Sequence, residues 1–121
     1  DIYGPPGNAF KNIFVLNHFP LWMFNSAGQN ITPDKLKKSS AEEIFRICNK
    51  YISDIINLLN AEKIIGVGKY ANKMAQNAIR ENNLEGITIV EIPHPSPANP
   101  LANKDKGAVW KKISKRVIIG K

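Results

Sequence analysis

Two short apolar runs, Lys63–Val67 and Ile87–Ile92, flank a stretch of helical periodicity, and this alternation restricts the chain more than any other feature. Contiguous apolar residues in a strand mean burial on both faces, which calls for helices covering a parallel sheet. Between the runs, 69–81 sets Ala71, Met74, Ala75 and Ile79 at helical spacing, as on a helix with one inward stripe. Strands alternating with helices in this order imply a parallel, helix-covered sheet.

The same reading extends outward. Lys11–Asn17 reads as a third buried strand, stopped by Pro20, and Leu21-Trp22-Met23-Phe24 as an apolar turn before a polar loop through Lys38. Ser40-Ala41-Glu42-Glu43 has the form of a capping box, with Ser40 as N-cap. Behind it Ile44, Ile47, Cys48, Tyr51, Ile52, Ile55, Leu58 and Leu59 predict a helix over 41–59. A last helix over 108–118 sets Val109, Ile113 and Val117 on one face. The expected fold is α/β, three-layer α/β/α around a parallel central sheet, all of 1–121 belonging to one domain. Three strands make a thin sheet, and the chain opens at Asp1 straight into the turn signal Gly4-Pro5-Pro6-Gly7. The expectation is therefore the C-terminal portion of a domain, incomplete at its N-terminus.

Composition narrows the class. An apolar content of 43% is that of a globular protein, not a disordered one. The single cysteine, Cys48, excludes an internal disulfide and a cysteine-ligated metal cluster, and its place on an apolar helix face reads as a buried thiol. No apolar run reaches the roughly 20 residues that span a bilayer, so no membrane partner is expected. Without a visible leader the default compartment is reducing, nuclear in a eukaryote and cytoplasmic otherwise. In that setting the glycosylation sequon Asn30-Ile31-Thr32 reads as chance. The net charge of +7 is uneven: 104–121 carries seven basic residues against Asp105, and everything before it holds ten basic and nine acidic residues. A phosphate-facing surface and a solvated helix face both account for such a run.

Three positions carry candidate chemistry. Gly66-Val67-Gly68-Lys69-Tyr70-Ala71 follows a strand and opens a helix, fitting a G-x-G-x-x-A dinucleotide turn with Glu91 near the place of a ribose-binding acid. Amides at a helix start hold any phosphate, a DNA phosphate included, and a tight turn without ligand fits as well. Asn17, at the end of its run, offers an acceptor and a donor side by side, matching the N3–H and O4 edge of uracil or thymine and mismatching cytosine. A local backbone cap is the plainer role for such an asparagine, and His18 beside it should point the other way, into a structural or solvent role. His94-Pro95-Ser96-Pro97-Ala98-Asn99-Pro100 follows the strand at 87–92, and its prolines make a stiff, extended loop around a titratable ring. Ligands of open α/β sheets bind at such strand ends, although a structural histidine is also compatible.

In order, Phe14-Val15-Leu16-Asn17, Gly66-Val67-Gly68-Lys69-Tyr70-Ala71 and His94-Pro95-Ser96-Pro97 resemble the uracil-DNA glycosylase superfamily, and most of all its single-strand-selective monofunctional branch. Ala27-Gly28-Gln29-Asn30-Ile31-Thr32-Pro33 is similar to that branch's S-G-R-N-L-T-P segment, and Asn99-Pro100 with Ala102-Asn103-Lys104 matches it too. The resemblance implies hydrolysis of the N-glycosidic bond of uracil, and of 5-substituted uracils, in single- or double-stranded DNA by a monomer without metal or cofactor. It implies that Asn17 reads the base and His94 donates a hydrogen bond to uracil O2. Gly68, Lys69, Ser96 and Lys104 would hold phosphates, and the loop through Pro97, Ala98, Asn99, Leu101 and Asn103 would enter the DNA.

Two departures from the family pattern bear on activity. Ala98 stands where the family has a bulky plug, leaving Leu101 as the substitute wedge. The family's Gly-Met-Asn-Pro-Gly-type segment, whose asparagine positions the attacking water, does not occur in the 121 residues. By itself the chain is therefore expected to bind DNA with little or no excision. A non-catalytic DNA-binding remnant and a dinucleotide-binding fragment are the alternatives.

Overall fold

In the computed structural model, which describes residues 3–120, Pro6 starts a one-turn helix, α1 (Pro6–Ala9), and a two-residue hairpin follows, β1 (Met23–Phe24) with β2 (Asn30–Ile31). The hairpin loop is shaped by Asn25, whose Oδ1 accepts the Ala27 and Gln29 N–H groups at 3.0 and 2.9 Å, with Gly28 left-handed at φ 76°. A 3-10 turn, Pro33–Lys35, leads into α2 (Lys38–Leu59). Then come β3 (Lys63–Val67), α3 (Lys69–Glu81), β4 (Thr88–Ile92), the single turn α4 (Pro100–Asn103) and α5 (Ala108–Ile119).

The strand–helix–strand unit forms as its periodicity predicts. β3 and β4 pair in parallel, Lys63 opposite Thr88 through Val67 opposite Ile92. α3 lies on both strands, α2 packs against α3, and α5 against β4. The fold is α/β. The core joins Ile52 and Ile56 of α2 to Ala78 of α3, with Leu16, Ile64, Ile79, Leu84 and Ile87 around it. α2 ends on Asn60 in the left-handed conformation (φ 48°), and Ala61 N–H reaches back to the Ile56 carbonyl at 3.0 Å.

Several expectations are corrected. Residues 11–17 form no strand: Leu16 reaches the core, while Phe14 and Val15 are 59% and 72% exposed. Without a neighbouring strand on either side, contiguous apolar residues have only one face to bury. The parallel sheet accordingly has two strands among the described residues, not three. The stretch expected as an apolar turn and polar loop instead makes the hairpin, with Trp22 exposed and its ring 5.5 Å from that of Phe24. The capping box is unused. α2 begins three residues earlier, because Lys37 is extended and its carbonyl already accepts the Ala41 N–H, so Ser40 lies inside the first turn.

The inward face of α2 is also rotated from the expected one. Ala41, Cys48, Asn49, Ile52, Ser53 and Ile56 are buried, whereas Ile47, Tyr51, Leu58 and Leu59 of the expected apolar set are exposed.

Candidate functional site

β4 delivers His94 to the edge of the sheet, and the turn after β3 meets it there. Gly68 takes φ 86° and ψ 164°, a conformation open to glycine, and donates its N–H to the Ile92 carbonyl at 2.8 Å. A Cβ at Gly68 would stand 3.1 Å from His94 Cβ and 3.6 Å from Cδ2. The ring thus occupies the space over the turn that a pyrophosphate would need to approach the second glycine of a dinucleotide fingerprint.

The loop after His94 is held by its own side chains. Ser96 N–H donates to His94 Nδ1 at 3.0 Å, and Asn99 Nδ2 donates to the His94 carbonyl at 2.7 Å. Asn99 Oδ1 caps α4 by accepting the Leu101 N–H at 3.1 Å. Ser96 Oγ accepts the Ala98 N–H, and Asn103 Nδ2 donates to the Pro97 carbonyl. Ser96, Asn99 and Asn103, expected at the DNA, therefore also build the loop. Pro97, Ala98 and Leu101 lie exposed on it, as do Lys69 at the start of α3 and Lys104 beyond α4. The basic surface continues through the exposed Lys106, Lys111, Lys112, Lys115 and Arg116. Trp110, which the sequence reading passed over, anchors α5 to the loop base through Nε1–H to the Pro93 carbonyl at 2.6 Å.

An amide N–H can only donate, so His94 Nδ1 must be the acceptor. That fixes the neutral tautomer with its proton on Nε2. The ring is exposed and keeps Nε2–H as a donor that no bond within the loop uses.

Asn17 stands apart from this pair. It is exposed, and with Phe19, Pro20, Leu21 and Trp22 it lines a shallow concavity of about 330 Å³. Since 11–17 is no strand, Asn17 is not at a strand end; its link to the turn runs through its neighbour. His18 is buried, in the structural and not the solvent one of its two expected roles, with Nδ1 3.1 Å from the Tyr70 hydroxyl and Nε2 2.8 Å from Asn49 Oδ1. Asn49 Nδ2 in turn donates to Glu81 Oε2 at 2.7 Å. Cys48 is buried, and that burial pushes its thiol pKa up, away from reactivity.

Burial is the largest influence on His18 and lowers its pKa from 6.5, while the Asn49 bond and the Glu81 charge act upward. With the folded value depressed, the unfolded chain takes up the proton first as pH falls below 6.5. The stability tied to the neutral ring is complete above that pH and is lost as pH falls through the folded value. Denaturant midpoints taken from about pH 8 to pH 5 should decline on the acid side, and decline less in His18→Gln; equal slopes would show that His18 is not responsible.

The family model described as the uracil DNA glycosylase superfamily matches residues 3–115, and the chain belongs to that superfamily. The single-strand selective monofunctional uracil DNA glycosylase of Bos taurus is 32% identical over 111 residues, which cover 92% of this chain and 40% of that protein. The Rattus norvegicus protein of the same description is 33% identical over 101 residues, 84% of this chain and 36% of its own. The chain thus spans about two-fifths of the length of these curated relatives.

Proposed function

We propose that this chain carries the base-reading and leaving-group side of a glycosylase that hydrolyses the N-glycosidic bond of uracil, and of 5-substituted uracils, in single- or double-stranded DNA. The observation that carries the reading is the Ser96 N–H bond to His94 Nδ1, which presents Nε2–H as a free donor beside Gly68. As the glycosidic bond breaks, negative charge collects on the departing base. A neutral donor fixed near O2 stabilises that charge without having to give up its proton.

The other residues act on position. The target base must leave the stack to reach the ring, and the Asn17 amide matches the edge of uracil once it is out. Amides at the start of α3 and the charges of Lys69 and Lys104 suit backbone phosphates, which set register without reading sequence. The Ser96 hydroxyl, which accepts from Ala98, still has its own proton to donate. The exposed Leu101 and Ala98 sit where the loop would meet the DNA. The protein would work as a monomer in the compartment that holds the genome, the nucleus in a eukaryote and the cytoplasm otherwise.

The family's Gly-Met-Asn-Pro-Gly-type segment does not occur in the 121 residues, so binding is the proper test. Fluorescence anisotropy with a single-stranded oligonucleotide carrying one uracil, and with its cytosine counterpart, should give affinities that fall steeply with salt and a uracil preference that persists at each salt concentration. Equal affinities throughout would reduce the chain to a DNA-binding remnant. Release of free uracil by this chain alone would overturn its assignment as one side of the site.

A further inference from the structure

We propose that His18 is a positioning residue, holding the Asn17 segment against the helix that opens at the Gly68 turn. The inference rests on the reading of Asn17 as the base-recognition group. It begins from a gap in the fold: 13–17 has no ladder partner among the described residues, so backbone pairing does not place Asn17.

What places it is the ring next door. His18 is 9% exposed and spends both nitrogens on side chains from two helices, Asn49 of α2 and Tyr70 of α3. Its ring also meets Phe45 and Tyr70, with centroids 5.8 and 5.7 Å away. Tyr70 is two residues beyond Gly68, in the first turn of α3. The path from the base-reading amide to the His94 cluster therefore runs Asn17, His18, Tyr70, Gly68, His94.

The hydrogen bonds in this path have one direction. The Glu81 carboxylate can only accept, so Asn49 turns its NH₂ toward Glu81 and its carbonyl toward His18. His18 Nε2 must then carry the proton, and Nδ1 is left to accept from the Tyr70 hydroxyl. Each group has its orientation set by the one before it, starting from a charge at the end of α3. A network satisfied in one sense only holds its members in one geometry.

The test is oligonucleotide binding by the whole chain with a uracil and a cytosine strand, comparing wild type with Asn17→Ala, His18→Leu, Tyr70→Phe and the double variant His18→Leu/Tyr70→Phe. Asn17→Ala should abolish the uracil preference. Tyr70→Phe and His18→Leu should each reduce it roughly tenfold, about the worth of one such bond, with affinity for the cytosine strand unchanged. The double variant should lose no more than the worse single variant, because both remove the same link. A merely structural role would weaken both strands alike and leave their ratio intact, and that outcome overturns the proposal. A preference that vanishes in Asn17→Ala and survives in Tyr70→Phe and His18→Leu overturns it as well, while sparing the reading of Asn17. No preference in the wild type sinks both together. Tyr70 is 41% exposed, so Tyr70→Phe keeps the test decisive if His18→Leu does not fold.

Discussion

Replacing Gly66 by alanine should be the most damaging single methyl in this chain, costing about 3 kcal/mol and lowering the melting temperature by roughly 10 °C. A Cβ built at Gly66 lies 2.5 Å from Asn72 Cα, 2.6 Å from its backbone nitrogen and 2.8 Å from its Cβ. Two of those three atoms belong to the backbone of α3, which cannot turn aside as a flexible side chain would. The helix would have to lift from β3, and Gly68, directly ahead of α3, would move with it away from His94. Gly7→Ala is the control, since nothing lies within 4 Å of the added carbon and no left-handed φ is required there. Thermal denaturation of the two variants beside wild type decides the matter. A melting temperature for Gly66→Ala within a degree or two of Gly7→Ala would mean that α3 has slack to give.

Gly66 also shows how far the sequence could be read. The pattern G-x-G-x-x-A correctly announces a strand, a tight turn and a helix, and those elements form at 63–67 and 69–81. It does not say what each glycine is for. Gly66 admits the backbone of α3, and Gly68 admits the His94 side chain. The helix and strands of this unit were legible because their stabilising partners are near in sequence and their spacing is regular. α2 was legible as a helix but not in its buried face, since its apolar residues spread over more of its surface than α3 covers and periodicity cannot tell which of them are covered. Residues 11–17 failed for a related reason. A contiguous apolar run reads as a buried strand only if something flanks it, and Phe14 and Val15 have no such cover here. His94, Asn17 and Gly68 could be named as candidates from residue type, position and family resemblance. The links among them could not, because His18 to Tyr70 and Trp110 to Pro93 join residues 52 and 17 positions apart through side-chain bonds that no local pattern announces.

Under the proposed glycosylase reading, loss of the His94 ring should be the most costly change for catalysis. The measurement calls for a chimera in which this chain replaces the matched region of the Bos taurus relative. In that protein His94→Ala should slow uracil release roughly 10²- to 10³-fold, equivalent to about 2.7–4 kcal/mol, the usual loss when one donor to a developing anion is removed. The loss should fall on kcat with KM little changed, because under this proposal a bond to O2 would strengthen only as charge arrives there. A second substitution separates donation from loop building. In His94→Asn a side-chain oxygen can take the place of Nδ1 and accept the Ser96 N–H, yet nothing reaches as far as Nε2. The Asn99 bond to the residue 94 carbonyl is to the backbone and survives either change. If His94 acts as the leaving-group donor, His94→Asn is as slow as His94→Ala. Recovery of most of the rate in His94→Asn would show instead that the ring matters for the shape of the proline loop, and the donor role would have to pass to another group.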